Sequence, residues 1–396
     1  MRRRLSSLTG LRFVAASMVF ALHSMPQPGK WLRLDQGVSF FFVLSGFILT
    51  YIYPDLPNFA AVKKFYIARV ARLWPLHLLT MLLVVGFGQN RSFDALALNT
   101  LLLQAWIPVQ KIYMSYNAVS WSISTEFLFY LAFPLLIPFL EKNWYWKLFG
   151  SASLVLALIA ACNLSGLPLL SMNGVSAHGL LYISPLSRIF EFIAGMCCCL
   201  LWRTLQAKAP QNGFWVFTLA EGSAIALTIV LLLYPFPFAH HAIGPAGVLW
   251  IIRTSAIPGF CLIVVVFAFG RGLLSKLLGS RLLEFLGEIS FAVYLIHVLV
   301  IVGYRSQFKE ALAVSPSADF AITVAISLLA ATAMHLLIER PCRSLIIGWW
   351  KLDPAGPYTP EASTEAAPRR PETWTPYRRF RSLIRRLSRV GQARRN

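Results

Sequence analysis

Apolar stretches recur from residue 8 to residue 338, most close to the length that crosses a bilayer as a helix, with polar residues gathered between them. The pattern predicts spans at roughly 8–25, 37–53, 74–88, 122–140, 148–164, 186–202, 214–234, 249–270, 286–303 and 319–338. An eleventh stretch, 95–109, carries Asn99, Gln104, Trp106 and Pro108. It reads as an interfacial or re-entrant helix, since irregular backbone at membrane depth is tolerated where it lines a cavity. The predicted fold class is therefore all-α, a polytopic membrane helix bundle of about ten transmembrane helices.

Basic residues between the spans support that count. With ten spans, Arg2, Arg3, Arg4, Lys63, Lys64, Arg69, Arg72, Lys142, Lys147, Arg203, Lys208, Arg271, Lys276, Arg281, Arg340 and Arg343 share one side. The other side receives only Lys30, Arg33, Arg91, Lys111, Arg305 and Lys309. Positive charge favours the cytoplasmic side, which places both termini there. Counting 95–109 as a full span would reverse several of these basic loops.

Two residues break the first apolar stretch, TGLRFVAASMVFALHSM: Arg12 and His23. Eleven steps at about 100° return to nearly the same helix face and rise about 16 Å, so one face carries a cation near one membrane surface and an imidazole near the other. Ionisable side chains at such depth are costly unless they face a cavity or a partner, which makes them functional candidates. The alternative is that Arg12 snorkels and His23 merely ends a helix.

Composition agrees with the pattern. Of 396 residues, 57% are hydrophobic and 13% charged, against roughly 25% charged in soluble domains. The net charge of +20 does not indicate nucleic acid, because ten of the 36 Lys and Arg residues lie after residue 366 and many others border spans. The first stretch, carrying Arg12 and lacking a clear cleavage site, is expected to be retained as a helix. Cys162, Cys197, Cys198, Cys199, Cys261 and Cys342 all lie in or beside apolar segments without metal-ligand spacing, so neither a disulfide framework nor a metal site is expected. Residues 1–345 form the expected transmembrane domain and 346–376 a flexible linker rich in Pro, Ser, Thr and Glu. The basic tail, 377–396, is cytoplasmic in this topology and has apolar residues at helical spacing that suit a membrane-surface helix.

Depth sorts the remaining polar residues. Toward the inner side lie Arg12, the segment KKFYIARVARLW with Arg69 and Arg72 three apart, and HLLIERPCRS with Glu339 and Arg340. The two arginines of ARVAR can share a helix face and bind phosphate or carboxylate, although inner-side positive charge also simply sets topology. Toward the outer side lie His23, Glu126, His297, and Arg188 with Glu191 three residues on. Glu126 could stay charged and orient an imidazole if paired with His23 or Arg188. Arg188 and Glu191 could equally form an internal salt bridge, and His297 could hydrogen-bond within the core. Ser45 and Gly46 in SFFFVLSGFILTYIY would admit either a slim acyl chain or a neighbouring helix. Asn90, Asn117 and Asn173 are loop residues that could meet a sugar.

In this order, Arg12 and His23, SFFFVLSGFILTY, FYIARVARLWPLH, SWSISTEFLFYLAFP, SRIFEFIAGM, FLGEISFAVYLIH and HLLIERPCR give a chain that resembles the acyltransferase 3 family of integral-membrane O-acyltransferases. The resemblance covers residue 8 to about 345. It implies an acyl-CoA-dependent enzyme of the bacterial inner membrane that acylates hydroxyls of exopolysaccharides, lipopolysaccharides or lipid-linked glycans. Acetyl-CoA is the implied donor, with succinyl-CoA the alternative, and a polysaccharide biosynthesis or export complex is the implied setting. Arg12, Arg69 and Arg72 would bind donor phosphates, and Ser45 and Gly46 would line the path of the pantetheine arm. His23 would be the essential histidine, oriented by Glu126, with Arg188 as oxyanion candidate. Many family members add an extracytoplasmic SGNH-type domain; nothing after the last span has that composition, so the chain resembles the stand-alone members. His23 could act as general base on a sugar hydroxyl or carry the acyl group itself. A transporter or flippase for a glycan or lipid is the competing class, since buried charges at two depths and a broken helix also suit alternating access.

Overall fold

The structure, a computed structural model, describes residues 4–25, 33–86, 95–210, 213–234, 243–308 and 315–350. Arg2, Arg3, Lys30, Asn90, Arg91, Lys309, and the expected linker and tail from residue 351 onward lie outside the described residues. The long helices are α1 Ser6–Ser24, α2 Gly37–Ile52, α3 Phe59–Gly86, α4 Trp121–Leu136, α5 Leu140–Leu164 and α6 Pro185–Gln206. They continue with α7 Phe214–Leu233, α8 Gly244–Thr254, α9 Ile257–Phe267, α10 Arg281–Gln307, α11 Pro316–Met334 and α12 Arg340–Trp349. Among the described residues nine helices are long and apolar enough to cross a membrane. Each overlaps one expected span, α8 with α9 and α11 with α12 acting as single spans, and α1 overlaps the remaining one. The chain is a polytopic all-α membrane bundle.

Helix boundaries follow local chemistry. Ser184 caps α6 by accepting the Leu186 N–H at 3.4 Å, with Pro185 at the first helical position. Ser315 caps α11 by accepting the Ala318 N–H at 3.3 Å, with Pro316 following. Both satisfy a donor that the first helical turn leaves free. A π-helical turn, His335–Glu339, joins α11 to α12 and is held by a 2.8 Å pair between His335 Nδ1 and Glu339 Oε2. The amphipathic α12 then carries Trp349 outward while Arg343 is partly covered.

Small residues let charged helices sink into the bundle. A Cβ on Gly287 of α10 would fall 1.9 Å from the Thr9 carbonyl oxygen of α1, so the two backbones touch there. Further along both helices Phe20 meets His297, and Arg305 donates to the Ser24 carbonyl at 2.6 Å. The helices therefore run parallel, and residues of equal depth face each other along their length.

The same device joins α2 to α6. A Cβ on Gly46 would lie 1.9 Å from Phe192 O, and one on Gly195 would lie 1.9 Å from Val43 O. Gly46 is thus filled by the backbone of α6 and leaves no room there for an acyl chain, which corrects its expected role in donor binding. Gly46→Ala is expected to destabilise the protein by about 1–3 kcal/mol or more, because backbone cannot yield as a side-chain tip can. Thermal unfolding in detergent measures this, and an unchanged melting temperature would show that the helices can part freely.

The stretch expected to be re-entrant is broken into short pieces, Leu96–Thr100, Gln104–Trp106 and Gln110–Tyr113. Its backbone is satisfied by α3 and α4: Trp74 Nε1 donates to Thr100 O at 2.7 Å, His77 Nε2 lies 2.8 Å from Asn99 O, and Ser124 Oγ accepts the Ala105 N–H at 3.1 Å. Burial inside protein makes such irregular backbone tolerable at this depth.

Candidate active site

One end of α1 enters a cluster of charges. Arg12, Arg69 and Arg72 gather with Arg343 of α12, and Glu126, Glu339, Tyr53 and Tyr130 supply the opposing or polarising groups. Arg69 is buried, with Nη2 at 3.4 Å from Tyr53 Oη, which accepts its hydrogen bond, and its guanidinium lies 5.6 to 5.9 Å from the ring centres of Tyr53, Phe65 and Tyr130. That packing fixes it. Arg12, Arg72 and Arg343 are different: none has a hydrogen-bond acceptor among the described residues, and Arg12 and Arg343 each feel the like charge of Arg72. Four guanidinium groups against two carboxylates leave a net positive site with unused donors, the setting for a multiply charged anion.

Glu126 anchors the middle of this cluster. Tyr130 Oη donates to its Oε1 at 2.6 Å and Ser45 Oγ donates to the same oxygen at 3.1 Å. The structure therefore keeps Ser45 beside the cluster, while Glu126 bonds these hydroxyls rather than His23. Its expected role of orienting the imidazole is not the observed contact. The physical reason is depth, since Glu126 shares the electrostatic surroundings of Arg12 and Arg72 at the other end of α1.

His23 occupies the last turn of α1 and is exposed. Its Nδ1 lies 2.9 Å from the Val19 carbonyl and 3.2 Å from Nε2 of the buried His297. Its Nε2 has no hydrogen-bond partner among the described residues. The helix end beneath it is held by Arg305, which donates to Ser24 O at 2.6 Å and pairs with the buried Asp319 at 2.8 Å. Tyr294 stands between the two ends: it feels the charge of Glu126, its ring centre is 6.0 Å from that of His297, and its hydroxyl lies 2.7 Å from Ser122 Oγ.

Arg188 has another task. Fully buried, it pairs with Glu191 at 2.7 Å, donates to Ser39 Oγ at 3.0 Å, and rests on the rings of Phe42 and Tyr182. Its charge is matched by Glu191, so the structure shows the internal salt bridge that the three-residue spacing also allowed, with Nε left without a hydrogen-bond partner among the described residues. Removing one partner of a buried pair costs about 3–5 kcal/mol, whereas replacing both with apolar residues costs far less. Arg188→Met is accordingly expected to unfold at markedly lower temperature, and Arg188→Met with Glu191→Leu to recover most of the loss. Full stability in the single variant would return Arg188 to the list of catalytic candidates.

Among the loop residues, Asn117 is buried and donates to Leu295 O at 2.8 Å, while Asn173 is exposed. Among the described residues no group of three His, Cys, Asp or Glu side chains could hold a metal ion. Sequence reasoning placed Arg343 only among the basic residues of one side and left out Tyr53 and Tyr130, whose hydroxyl and aromatic side chains carry no depth signal of their own.

A known family, described as an acyltransferase domain, has a sequence pattern that matches residues 5–336. The chain belongs to the acyltransferase 3 family. It is 30% identical over 383 residues to acyltransferase MdmB of Streptomyces mycarofaciens, covering 87% of this chain and 92% of that one. It is 27% identical to the protein named putative peptidoglycan O-acetyltransferase YrhL of Bacillus subtilis, over 76% of this chain and 49% of that protein. With putative O-acetyltransferase SACOL0978 of Staphylococcus aureus it shares 24% identity, over 86% of this chain and 58% of that protein. The chain thus spans nearly all of MdmB and about half of the other two. No solved structure matches it significantly. As an acyltransferase 3 protein with nine helices among the described residues long and apolar enough to cross a membrane, it is a membrane acyltransferase.

Proposed function

We propose that this acyltransferase moves an acetyl group from cytoplasmic acetyl-CoA to a hydroxyl of a bacterial exopolysaccharide, lipopolysaccharide or lipid-linked glycan, with succinyl-CoA as the alternative donor. The enzyme sits in the bacterial inner membrane with both termini cytoplasmic. The observation that carries this reading is the arrangement along α1. A cluster of guanidinium groups, of which Arg12, Arg72 and Arg343 have no hydrogen-bond acceptor among the described residues, surrounds one end, and an exposed imidazole whose Nε2 has no partner among the described residues stands about 16 Å away at the other. Phosphates of a coenzyme fit the first, while a thioester reached by an extended pantetheine arm fits the second. The putative O-acetyltransferase names of the Bacillus and Staphylococcus relatives support acetyl and a hydroxyl acceptor, and the word peptidoglycan in the Bacillus name supports a glycan.

The chemistry balances with residues already in place. His23 Nε2 takes the hydroxyl proton as the sugar oxygen attacks the thioester carbon; the C–O bond forms, the C–S bond breaks, and the proton leaves with the CoA sulfur. In the two-step route Nε2 attacks the carbon first, the C–S bond breaks and CoA departs as thiolate from a cationic acyl-imidazole; the sugar oxygen then takes the acyl group as the C–N bond breaks, and the hydroxyl proton ends on the CoA sulfur. The test is to supply the full chain in nanodiscs with acetyl-CoA labelled in its acetyl group and glycans extracted from the cell surface, then read covalent label by mass spectrometry. Acetylated glycan with CoA release supports the proposal. Binding or movement of glycan without covalent change would place the protein among transporters.

A further inference from the structure

We infer that His297 of α10 is a positioning residue that holds His23 as its Nδ1–H tautomer and so leaves Nε2 free to react. This rests on the reading of His23 given above and adds a residue to it.

The assignment follows from which atoms can donate. His297 Nδ1 lies 2.7 Å from the Tyr294 carbonyl and 3.2 Å from the Val293 carbonyl. Carbonyl oxygens only accept, so Nδ1 carries the proton and, in the neutral ring, Nε2 carries the lone pair. That lone pair is 3.2 Å from His23 Nδ1. With His297 buried at 1% exposure, Nε2 has only one partner among the described residues and would otherwise be an orphaned acceptor. Among the described residues His23 Nδ1 faces two acceptors, Val19 O at 2.9 Å and His297 Nε2, and no donor. Its proton is placed from both directions.

Why the Val19 carbonyl does not suffice is a matter of geometry. It belongs to the same helix four residues back, where it already serves the helical ladder, and it leaves the imidazole free to swing about its side-chain bonds. His297 belongs to another helix and is itself wedged: its ring centre is 6.0 Å from those of Phe20 and Tyr294, and Tyr294 Oη donates to Val119 O at 3.1 Å. A rigid acceptor on α10 converts one allowed tautomer into one fixed orientation. Either route of acyl transfer makes His23 cationic at Nε2, and in both the group facing its Nδ1–H is a lone pair that strengthens that bond as charge develops.

Three substitutions separate this role from packing. His297→Gln places a side-chain oxygen near the position of Nε2 and keeps an acceptor for His23. His297→Asn reaches only as far as Nδ1, preserving the bond to Tyr294 O but offering His23 nothing. His297→Leu removes both. In the full chain in nanodiscs, we expect turnover with acetyl-CoA to stay within a few-fold for Gln and to fall about 10²-fold for Asn and Leu, the size of effect expected when a base loses its orientation. Acetyl-CoA affinity, measured by calorimetry, should be unchanged in all three. Nitrogen-15 spectra of histidine-labelled wild type, with His23 identified by its loss in His23→Ala, should show a protonated Nδ1 and a bare Nε2, giving way to a tautomer mixture in Asn. This spectrum decides the matter even if Leu does not fold. A wild-type His23 protonated at Nε2, or turnover in Asn equal to that in Gln, overturns the inference. Full turnover in His23→Ala instead overturns the reading of His23 beneath it, and loss in His23→Ala with no loss in the His297 variants overturns the inference alone.

Discussion

His23→Ala is expected to abolish glycan acetylation while leaving a folded protein that binds its donor. The folded state should survive the change, because His23 itself is exposed and its loss leaves one buried acceptor, Nε2 of His297, without its donor, a cost of about 1–3 kcal/mol. Donor binding should survive as well, since the arginine cluster lies eleven residues back along α1. The chemical step cannot. A positioned general base contributes about 10²–10⁴-fold, and if Nε2 forms a covalent bond to the acyl group the loss is larger still. Separate measurements of acetyl-CoA binding, melting temperature and product formation isolate the step. Near-normal product from a well-folded His23→Ala protein would rule out both routes.

The contrast between what the chain discloses and what it hides runs along physical lines. The spans were legible because bilayer thickness imposes a length on apolar segments, and each of the nine helices overlaps an expected stretch. Arg12 and His23 were legible because a charge in apolar sequence demands a reason. The broken helix near residue 100 was legible from its own polarity. Pairings between distant elements were not: His297 lies 274 positions from His23, and contacts such as the close approach of Gly287 to Thr9 bring their helices side by side. Gly46 illustrates a second limit, since a missing side chain looks the same in sequence whether a ligand or a neighbouring backbone fills the gap. Glu126 illustrates a third. Its cost at depth marked it as important, but its partners, Ser45 and Tyr130, are hydroxyls that no charge rule selects.

At the opposite end of α1, Arg72→Met is expected to weaken donor binding while changing the stability of the empty protein far less. In the absence of ligand Arg72 has no hydrogen-bond acceptor among the described residues and repels both Arg12 and Arg343. Removing it relieves those repulsions and loses the attraction of Glu126 and Glu339 and the contacts with Tyr130 and Tyr53, so the melting temperature should change little. With donor bound, the same guanidinium gains an anionic partner, and losing one hydrogen bond to a charged group costs about 1.5–3 kcal/mol, or roughly 10- to 150-fold in affinity. Arg69→Met should behave otherwise: its guanidinium is packed among three aromatic rings, so stability and affinity should fall together. The nucleotide phosphates identify the source of the effect. Calorimetry with CoA should show the full loss in Arg72→Met, whereas acetyl-pantetheine, which lacks the nucleotide, should bind both proteins alike. Equal losses for the two ligands would move Arg72 away from the phosphates. Unchanged CoA affinity together with inverted membrane orientation, read by the accessibility of introduced cysteines, would assign Arg72 to topology instead.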